Sequence, residues 1–145
     1  SEDRRIKDSI QQELSRKNEE NNIAKLDAEL ADPESELMQL ASSRKSTDIE
    51  KGKRYFSISC ATCHKEDAGG MIGSNLTDEY WLNGNSVRDI FKSIYYGVPD
   101  RAMPPWRHSL EPEKIATIIT YIRSVQGSHP INAKAPQGKK TGYAQ

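Results

Sequence analysis

Apolar side chains follow helical spacing along most of this chain, but their density changes partway. Over residues 1–46 they are sparse and recur at intervals typical of a helix: Ile6, Ile10, Leu14, then Ile23, Leu26 and Leu30. This spacing predicts one or two thin amphipathic helices, broken near Asp32-Pro33 because a proline disfavours helical backbone in the residue before it. So narrow a stripe cannot form a core by itself.

The pattern becomes denser near Thr47, where we predict a domain boundary. All ten aromatic residues lie from Tyr55 onward. The segment Thr47-Asp48-Ile49-Glu50 has the pattern of a capping box and predicts a helix start. That helix should end at Cys60 and turn four residues toward the core: Ile49, Gly52, Tyr55 and Phe56. Because a glycine in mid-helix costs about 1 kcal/mol relative to alanine, we expect another helix to approach closely at Gly52.

Three further helices are predicted downstream. A short one covers residues 78–82 with Thr77 as its cap, and a longer one runs from Ser86 to Gly97. The last begins at Ser109 and ends at Gly127, with an apolar stripe of Ile115, Ile118, Ile119, Ile122 and Val125. We therefore expect an all-α fold.

The expected domain organisation has three parts. A charged helical spacer or tether covers residues 1–46, where eleven acidic and eight basic residues suggest a solvated helix. A small domain covers residues 47–127. Residues 128–145 contain Pro130, Pro136, Gly138 and Gly142, and we expect this tail to be extended or disordered.

Composition narrows the function classes. The chain has 145 residues and a formal net charge of zero, which allows one small domain with flanks and argues against a nucleic-acid partner. No stretch approaches the ~20 apolar residues of a membrane helix, and no signal peptide opens the chain.

The motif Cys60-Ala61-Thr62-Cys63-His64 carries the chemistry. C-x-x-C-H is the attachment signature of a c-type haem: the two thiols form thioethers with the porphyrin, and the histidine becomes the proximal iron ligand. Because covalent haem is attached after export, we expect a mature or truncated chain whose targeting or anchoring segment lies outside this sequence.

Three other interpretations of the motif are a redox dithiol, half of a zinc site and a chance C-x-x-C. A zinc site would need two more strong ligands, and His108 and His129 have no finger-like spacing. Both cysteines of the chain lie in the motif, so none remains for a disulfide framework.

A second axial ligand is expected from the Pro-rich loop at residues 98–107. Met103 lies 39 residues after His64 (103 minus 64), and the prolines after it stiffen the loop. His108 is the chief rival, while Met71 is too close to His64 and Met38 lies in the charged spacer. Met/His ligation would raise the reduction potential relative to a bis-His site.

These motifs resemble a class I cytochrome c, and more narrowly the c-type domains of the membrane-bound subunit III of cbb3-type cytochrome c oxidases. The resemblance covers about residues 48–138. It rests on CATCH at residues 60–64, IGSNLTDEYWL at residues 72–82, MPPW at residues 103–106, YIRS at residues 121–124 and NAKAPQG at residues 132–138.

The resemblance implies a set of contacts around one covalent haem c. Gly52 and Phe56 should meet Tyr121 where the first and last helices cross, and the carbonyl of Ser74 should accept the proximal imidazole N–H. His64 and Met103 would be the axial pair. Further candidate haem-binding residues are Ile72, Asn75, Leu76, Trp81 and Trp106, although ordinary core packing explains each tryptophan equally well. Arg101 and Arg107 are candidates for neutralising the haem carboxylates.

The function implied is one-electron transfer with no catalytic residue, as the electron-entry subunit of a cbb3-type terminal oxidase. The expected partners are the catalytic and other subunits of that oxidase and a donor cytochrome or quinol-oxidising complex. The expected location is the periplasmic side of a bacterial inner membrane, with a tether outside this sequence. Such subunits usually carry two haem domains, so this chain would be a fragment or a single-haem version. The alternatives are a free periplasmic carrier and a haem protein that binds small molecules or catalyses a reaction.

Overall fold

The computed structural model describes residues 1–144, and these form a mainly helical fold, as the sequence predicts. A 3₁₀ turn at Pro99–Arg101 precedes the last helix. The helices are α1 (Glu2–Ala31), α2 (Glu36–Ala41), α3 (Ser46–Ser59), α4 (Ala61–His64), α5 (Val87–Tyr96) and α6 (Pro112–Ser124), and the two short strands are β1 (Tyr80–Trp81) and β2 (Lys139–Lys140).

The crossing of α3 and α6 is the centre of the core. A Cβ atom at Gly52 would lie only 2.0 Å from the carbonyl oxygen of Thr117, so the helices touch backbone to backbone there. One turn later the Phe56 and Tyr121 rings pack with centroids 5.1 Å apart. The close approach expected at Gly52 is confirmed.

The N-terminal residues divide into a packed part and an exposed part. Leu26 and Leu30 of α1 are buried, and Thr120 Oγ1 of α6 donates a hydrogen bond to the Leu40 carbonyl of α2. Earlier in α1 the apolar stripe is about half exposed, at Ile6, Ile10 and Leu14. The predicted break is present: α1 ends at Ala31, with Asp32 as its cap.

Two predicted helix starts are wrong by a few residues. Helix α3 begins at Ser46 with Lys45 as an N-cap that makes no side-chain bond, so Thr47 already lies inside the helix and forms no capping box. Helix α6 begins at Pro112 rather than Ser109, because Ser109 instead closes a turn through its N–H to the Trp106 carbonyl. The predicted start at Ser86 is confirmed, since it caps α5 reciprocally with Asp89.

The helix predicted at residues 78–82 is wrong, because the C-terminal segment supplies a strand partner there. Tyr80 pairs with Lys140 and Trp81 with Lys139 in antiparallel register. The Thr77 hydroxyl donates to Asn75 Oδ1 at 2.6 Å instead of capping a helix.

We call residues 128–144 the strap. Its described residues include β2 and form no helix, and hydrogen bonds attach them to the domain. Trp81 Nε1 donates to the Gly142 carbonyl at 2.8 Å, and the Ala144 N–H donates to Gln126 Oε1 at 2.9 Å. Among the described residues, none of the helices is both long and apolar enough to cross a membrane.

Candidate haem site

One cavity collects eight of the nine predicted site residues. It lies between the end of α3, the loop after α4, the β1 region, α5 and the Met103 loop. The predicted residues in its wall are Cys60, Cys63, His64, Ile72, Leu76, Trp81, Met103 and Trp106. Asn75 is not in the wall.

The two thiols lie at the junction of α3 and α4. Cys60 closes α3 through its N–H to the Phe56 carbonyl, and the single turn of α4 then carries Cys63 and His64. Neither cysteine is in a disulfide. Burial raises the pKa of Cys60 to about 12, with a smaller effect from Cys63. Because an attacking thiol needs a lowered pKa, this environment disfavours the redox-dithiol interpretation.

The imidazole of His64 is held in one orientation. Its Nδ1 lies 2.8 Å from the Ser74 carbonyl oxygen, as the resemblance implied. Because a carbonyl only accepts, Nδ1 carries the proton and Nε2 keeps a free lone pair for a metal. Burial lowers the pKa of His64 below its ordinary value, a larger effect than the opposing one of the Ser74 bond. The neutral, ligating form is therefore favoured.

The loop after α4 fits against this imidazole. The Gly73 N–H donates to the Cys63 carbonyl at 2.7 Å, and the Gly70 N–H donates to the His64 carbonyl at 2.9 Å. A Cβ atom at Gly73 would lie 2.6 Å from Cε1 of His64. Gly70 has a φ of +93°, which favours glycine. The glycines therefore allow the backbone to pass beside the ring.

The Met103 loop is fixed to the end of α5. Met103 and Val98 exchange backbone hydrogen bonds of 2.9 and 3.2 Å. Gly97 ends α5 with a φ of +75°, and a Cβ atom there would lie 2.7 Å from the Met103 carbonyl oxygen. The Trp106 N–H also donates to the Ile94 carbonyl. The thioether of Met103 is thus presented to the cavity by a segment remote in sequence from His64.

The rival axial ligands are placed elsewhere. His108 is exposed and does not line the cavity. Met71 is 53% exposed and also lies outside the cavity wall, while Met38 packs against the core. Among the described residues, Met103 is the methionine in the wall.

The remaining predicted residues differ in how they meet the cavity. Trp81 lines it with only 8% exposure, but its indole N–H is bonded to the strap. Asn75 lies behind the wall: its Oδ1 accepts from the Thr77 N–H and hydroxyl, and its Nδ2 donates to the Lys134 carbonyl at 3.2 Å. The polar groups of Asn75 therefore join the loop to the strap.

Sequence reasoning missed several residues of the wall, and one of them is Gln137, which the strap brings to the cavity. The only sequence feature beside Gln137 that marks its segment is the glycine that follows. The strands that position it are two residues long and leave no periodic pattern in the sequence. Arg101, a candidate partner of the haem carboxylates, does line the cavity.

The residues present fit a covalent haem c. The cavity wall holds two free thiols on one short segment, a neutral imidazole with its tautomer fixed, and a thioether from another segment. These are the attachment and axial groups that a Met/His haem c requires.

Comparison with known proteins agrees with this geometry. The family model described as cytochrome c oxidase, cbb3-type, subunit III matches residues 47–122, just over half of the chain. The chain is 36% identical over 111 residues to the cbb3-type oxidase subunit FixP of Bradyrhizobium sp. (strain ORS 278), which covers 69% of this chain and 36% of that protein. It is 37% identical over 95 residues to subunit CcoP of Rubrivivax gelatinosus, covering 64% and 31%. The chain thus spans about a third of the length of these relatives.

Two solved structures of cytochrome cL share the fold. That from Methylophaga aminisulfidivorans is 28% identical with a TM-score of 0.54, covering 57% of each chain. That from Hyphomicrobium denitrificans is 22% identical with a TM-score of 0.58, covering 65% of this chain and 61% of its own. The family match over residues 47–122 shows that this chain belongs to the subunit III family of cbb3-type cytochrome c oxidases.

Proposed function

We propose that this chain is a one-electron transfer domain in which Cys60 and Cys63 attach haem c, and His64 and Met103 are its axial ligands. The observation that carries the proposal is the meeting of these four side chains in one cavity. Haem c bound between nitrogen and sulfur ligands supplies reversible exchange of one electron at iron.

The chain's own residues keep the site closed. The hydrogen bond from His64 to the Ser74 carbonyl holds the imidazole in place. The backbone hydrogen bonds between Val98 and Met103 hold the loop that carries Met103. With His64 and Met103 both bound to its iron, the haem would have no open coordination site for a substrate. This arrangement supports electron relay over the alternative of a ligand-binding or catalytic haem.

The entry point for electrons is the edge of the cavity beside the thiols. Ile72 lines the cavity while remaining 71% exposed, so this rim is open to a partner protein. Electron transfer needs a short distance from the partner to the haem edge and no chemical step by the protein. A docking surface here accounts for function without a catalytic residue.

Family membership supports a proposal for the partners. We propose that the chain passes electrons from a donor cytochrome or quinol-oxidising complex to the catalytic subunit of a cbb3-type oxidase, on the periplasmic side of a bacterial inner membrane. A free periplasmic carrier is the alternative. The rate at which the reduced chain passes electrons to the purified oxidase, measured with and without a linked membrane segment, separates the oxidase subunit from the free carrier.

The mass of the purified protein and its binding of carbon monoxide test the site itself. We expect the purified protein to gain the mass of one haem and to lose it in the double variant Cys60→Ser/Cys63→Ser. The reduced wild type should not bind carbon monoxide. Rapid carbon monoxide binding would overturn the closed site and favour a ligand-binding haem.

A further inference from the structure

The strap forms part of the wall of the haem cavity through Gln137. The family match ends at residue 122, so it does not include the strap. Every other wall segment lies at or before Ile122. The C-terminal segment thus adds a side chain to a site that is otherwise built by the matched domain.

The position of Gln137 is set by the backbone next to it. Gly138 has a φ of +88°, and a Cβ atom there would lie 2.3 Å from the Trp81 carbonyl oxygen. Lys139 then pairs with Trp81 in the β ladder. The strap is therefore in backbone contact with β1 directly after Gln137, which leaves that side chain little freedom to move away.

The side chain of Gln137 has unused hydrogen-bonding capacity. Its Oε1 is buried without a hydrogen-bond partner among the described residues. The other two such atoms, on Asp78 and Arg123, belong to residues outside the cavity wall. Since Oε1 has no solvent-exposed surface, the NH₂ group is the polar part of this side chain that can reach a group bound in the cavity.

The polar donors nearby leave this role open. The indole N–H of Trp81, which also lines the cavity, is already bonded to the Gly142 carbonyl. The amide of Asn75 is bonded to the Lys134 carbonyl. Haem would bring two carboxylates, and Arg101 is the charged residue of the cavity wall.

We propose that Gln137 donates a hydrogen bond from its carboxamide to a carboxylate of the bound haem, so that the strap is a part of the cofactor site. This inference rests on the proposed haem c function. The NH₂ group carries two N–H donors and makes no hydrogen bond to another described residue, so it can donate to a carboxylate. The bond stabilises the ionised carboxylate.

The reduction potential measured against pH tests the proposal. The charge of a haem carboxylate stabilises ferric iron, so the potential falls as pH rises through its titration. Loss of the donor disfavours the ionised form of the haem carboxylate. In Gln137→Leu we therefore expect the fall in reduction potential to occur about one pH unit higher than in the wild type. Gln137→Glu, of nearly the same shape, should move it at least as far because it adds a like charge.

The matched control is Ala135→Glu, which adds the same charge at an exposed strap residue outside the cavity wall. Its profile should stay close to that of the wild type. Profiles of both Gln137 variants that coincide with the wild type would overturn the proposal, as would an equal shift in Ala135→Glu.

A second measurement needs only the wild type. The ¹⁵N side-chain amide signals of Gln137, assigned by their absence from Gln137→Glu or Gln137→Leu, should move between the ferric and ferrous states because the iron is close. Unmoved signals would overturn the proposal. Haem mass and carbon monoxide inertness test the proposed function separately, so a failure of either account is recognisable.

Discussion

The Nδ1 atom of His64 lies 2.8 Å from the carbonyl oxygen of Ser74, and this hydrogen bond joins the haem motif to the loop ten residues later. The bond fixes the tautomer that leaves Nε2 free for iron. Gly73, the residue before Ser74, contacts the same ring so closely that it has no space for a side chain. The loop therefore both orients and buttresses the proximal ligand.

We predict that Gly73→Ala disturbs the proximal ligand. Its Cβ would lie 2.6 Å from Cε1 of His64, so the ring must tilt away from its bond to Ser74. We expect a changed ferric spectrum and a lower melting temperature of the haem-loaded protein. In the control Gly69→Ala, the new Cβ meets only side-chain atoms of Asp67 and Pro130, at 3.0 Å or more, and a smaller change is expected. Equal effects of the two variants would contradict this account.

Gly52→Ala tests the crossing of α3 and α6. A Cβ 2.0 Å from the Thr117 carbonyl oxygen forces the helices apart, and the free energy of unfolding should fall by about 2 kcal/mol or more. Urea unfolding measures the loss. Lys53→Ala, at the next and exposed position of α3, should be nearly neutral. An unchanged or raised stability of Gly52→Ala would show that the helices are not in contact there.

Trp81→Phe tests the attachment of the strap. The substitution removes the N–H that bonds the Gly142 carbonyl, at a cost of about 1 kcal/mol. Trypsin should then cut faster at Lys139 and Lys140, which lie in β2. Trp106→Phe is the matched control, because its indole N–H makes no hydrogen bond to another described residue. Equal cleavage of the two variants would contradict a role of the Trp81 bond.

Tyr121 gives a pH prediction. Its hydroxyl donates to the Glu66 carbonyl at 2.8 Å, and its pKa is raised first by burial and then by the charges of Asp67 and Glu66. A raised folded-state pKa gives stability that is complete below the unfolded value near 10 and is lost as pH rises through the folded value.

Tyr121→Phe should therefore be less stable than the wild type at pH 7, by about 1 kcal/mol for the lost hydrogen bond. The difference in stability between the two proteins should shrink above pH 10, because only the wild type has the Tyr121 hydroxyl that ionises there. Urea unfolding from pH 7 to 11 measures both. A difference that stays constant or widens above pH 10 would be inconsistent with a raised Tyr121 pKa.

Local patterns predicted most of the fold. The apolar stripe of α6, the caps of α5 and the C-x-x-C-H spacing each depend on residues within a few positions of one another, so a sequence reveals them. Gly52 even predicted a tertiary contact. A glycine in mid-helix lowers helix stability, and the close approach of a second helix accounts for its presence.

Apart from two helix starts that were wrong by a few residues, the errors arose where distant segments pair. The helix predicted at residues 78–82 fails because Lys139 and Lys140, some sixty residues later, offer a strand edge. The same pairing brings Gln137 to the cavity, and no periodic pattern near that residue predicts it. The hydrogen bond of Asn75 to the Lys134 carbonyl likewise joins segments that are distant in sequence, and no local pattern predicts it.

The central claim is the axial pair of His64 and Met103, and the visible spectrum of ferric Met103→Ala tests it most directly. Met71→Ala, which changes an exposed methionine outside the cavity wall, is the matched control. The account predicts a weak far-red sulfur-to-iron band in the wild type and in Met71→Ala that is absent from Met103→Ala. A band that survives in Met103→Ala, or that is missing from the wild type, would contradict it.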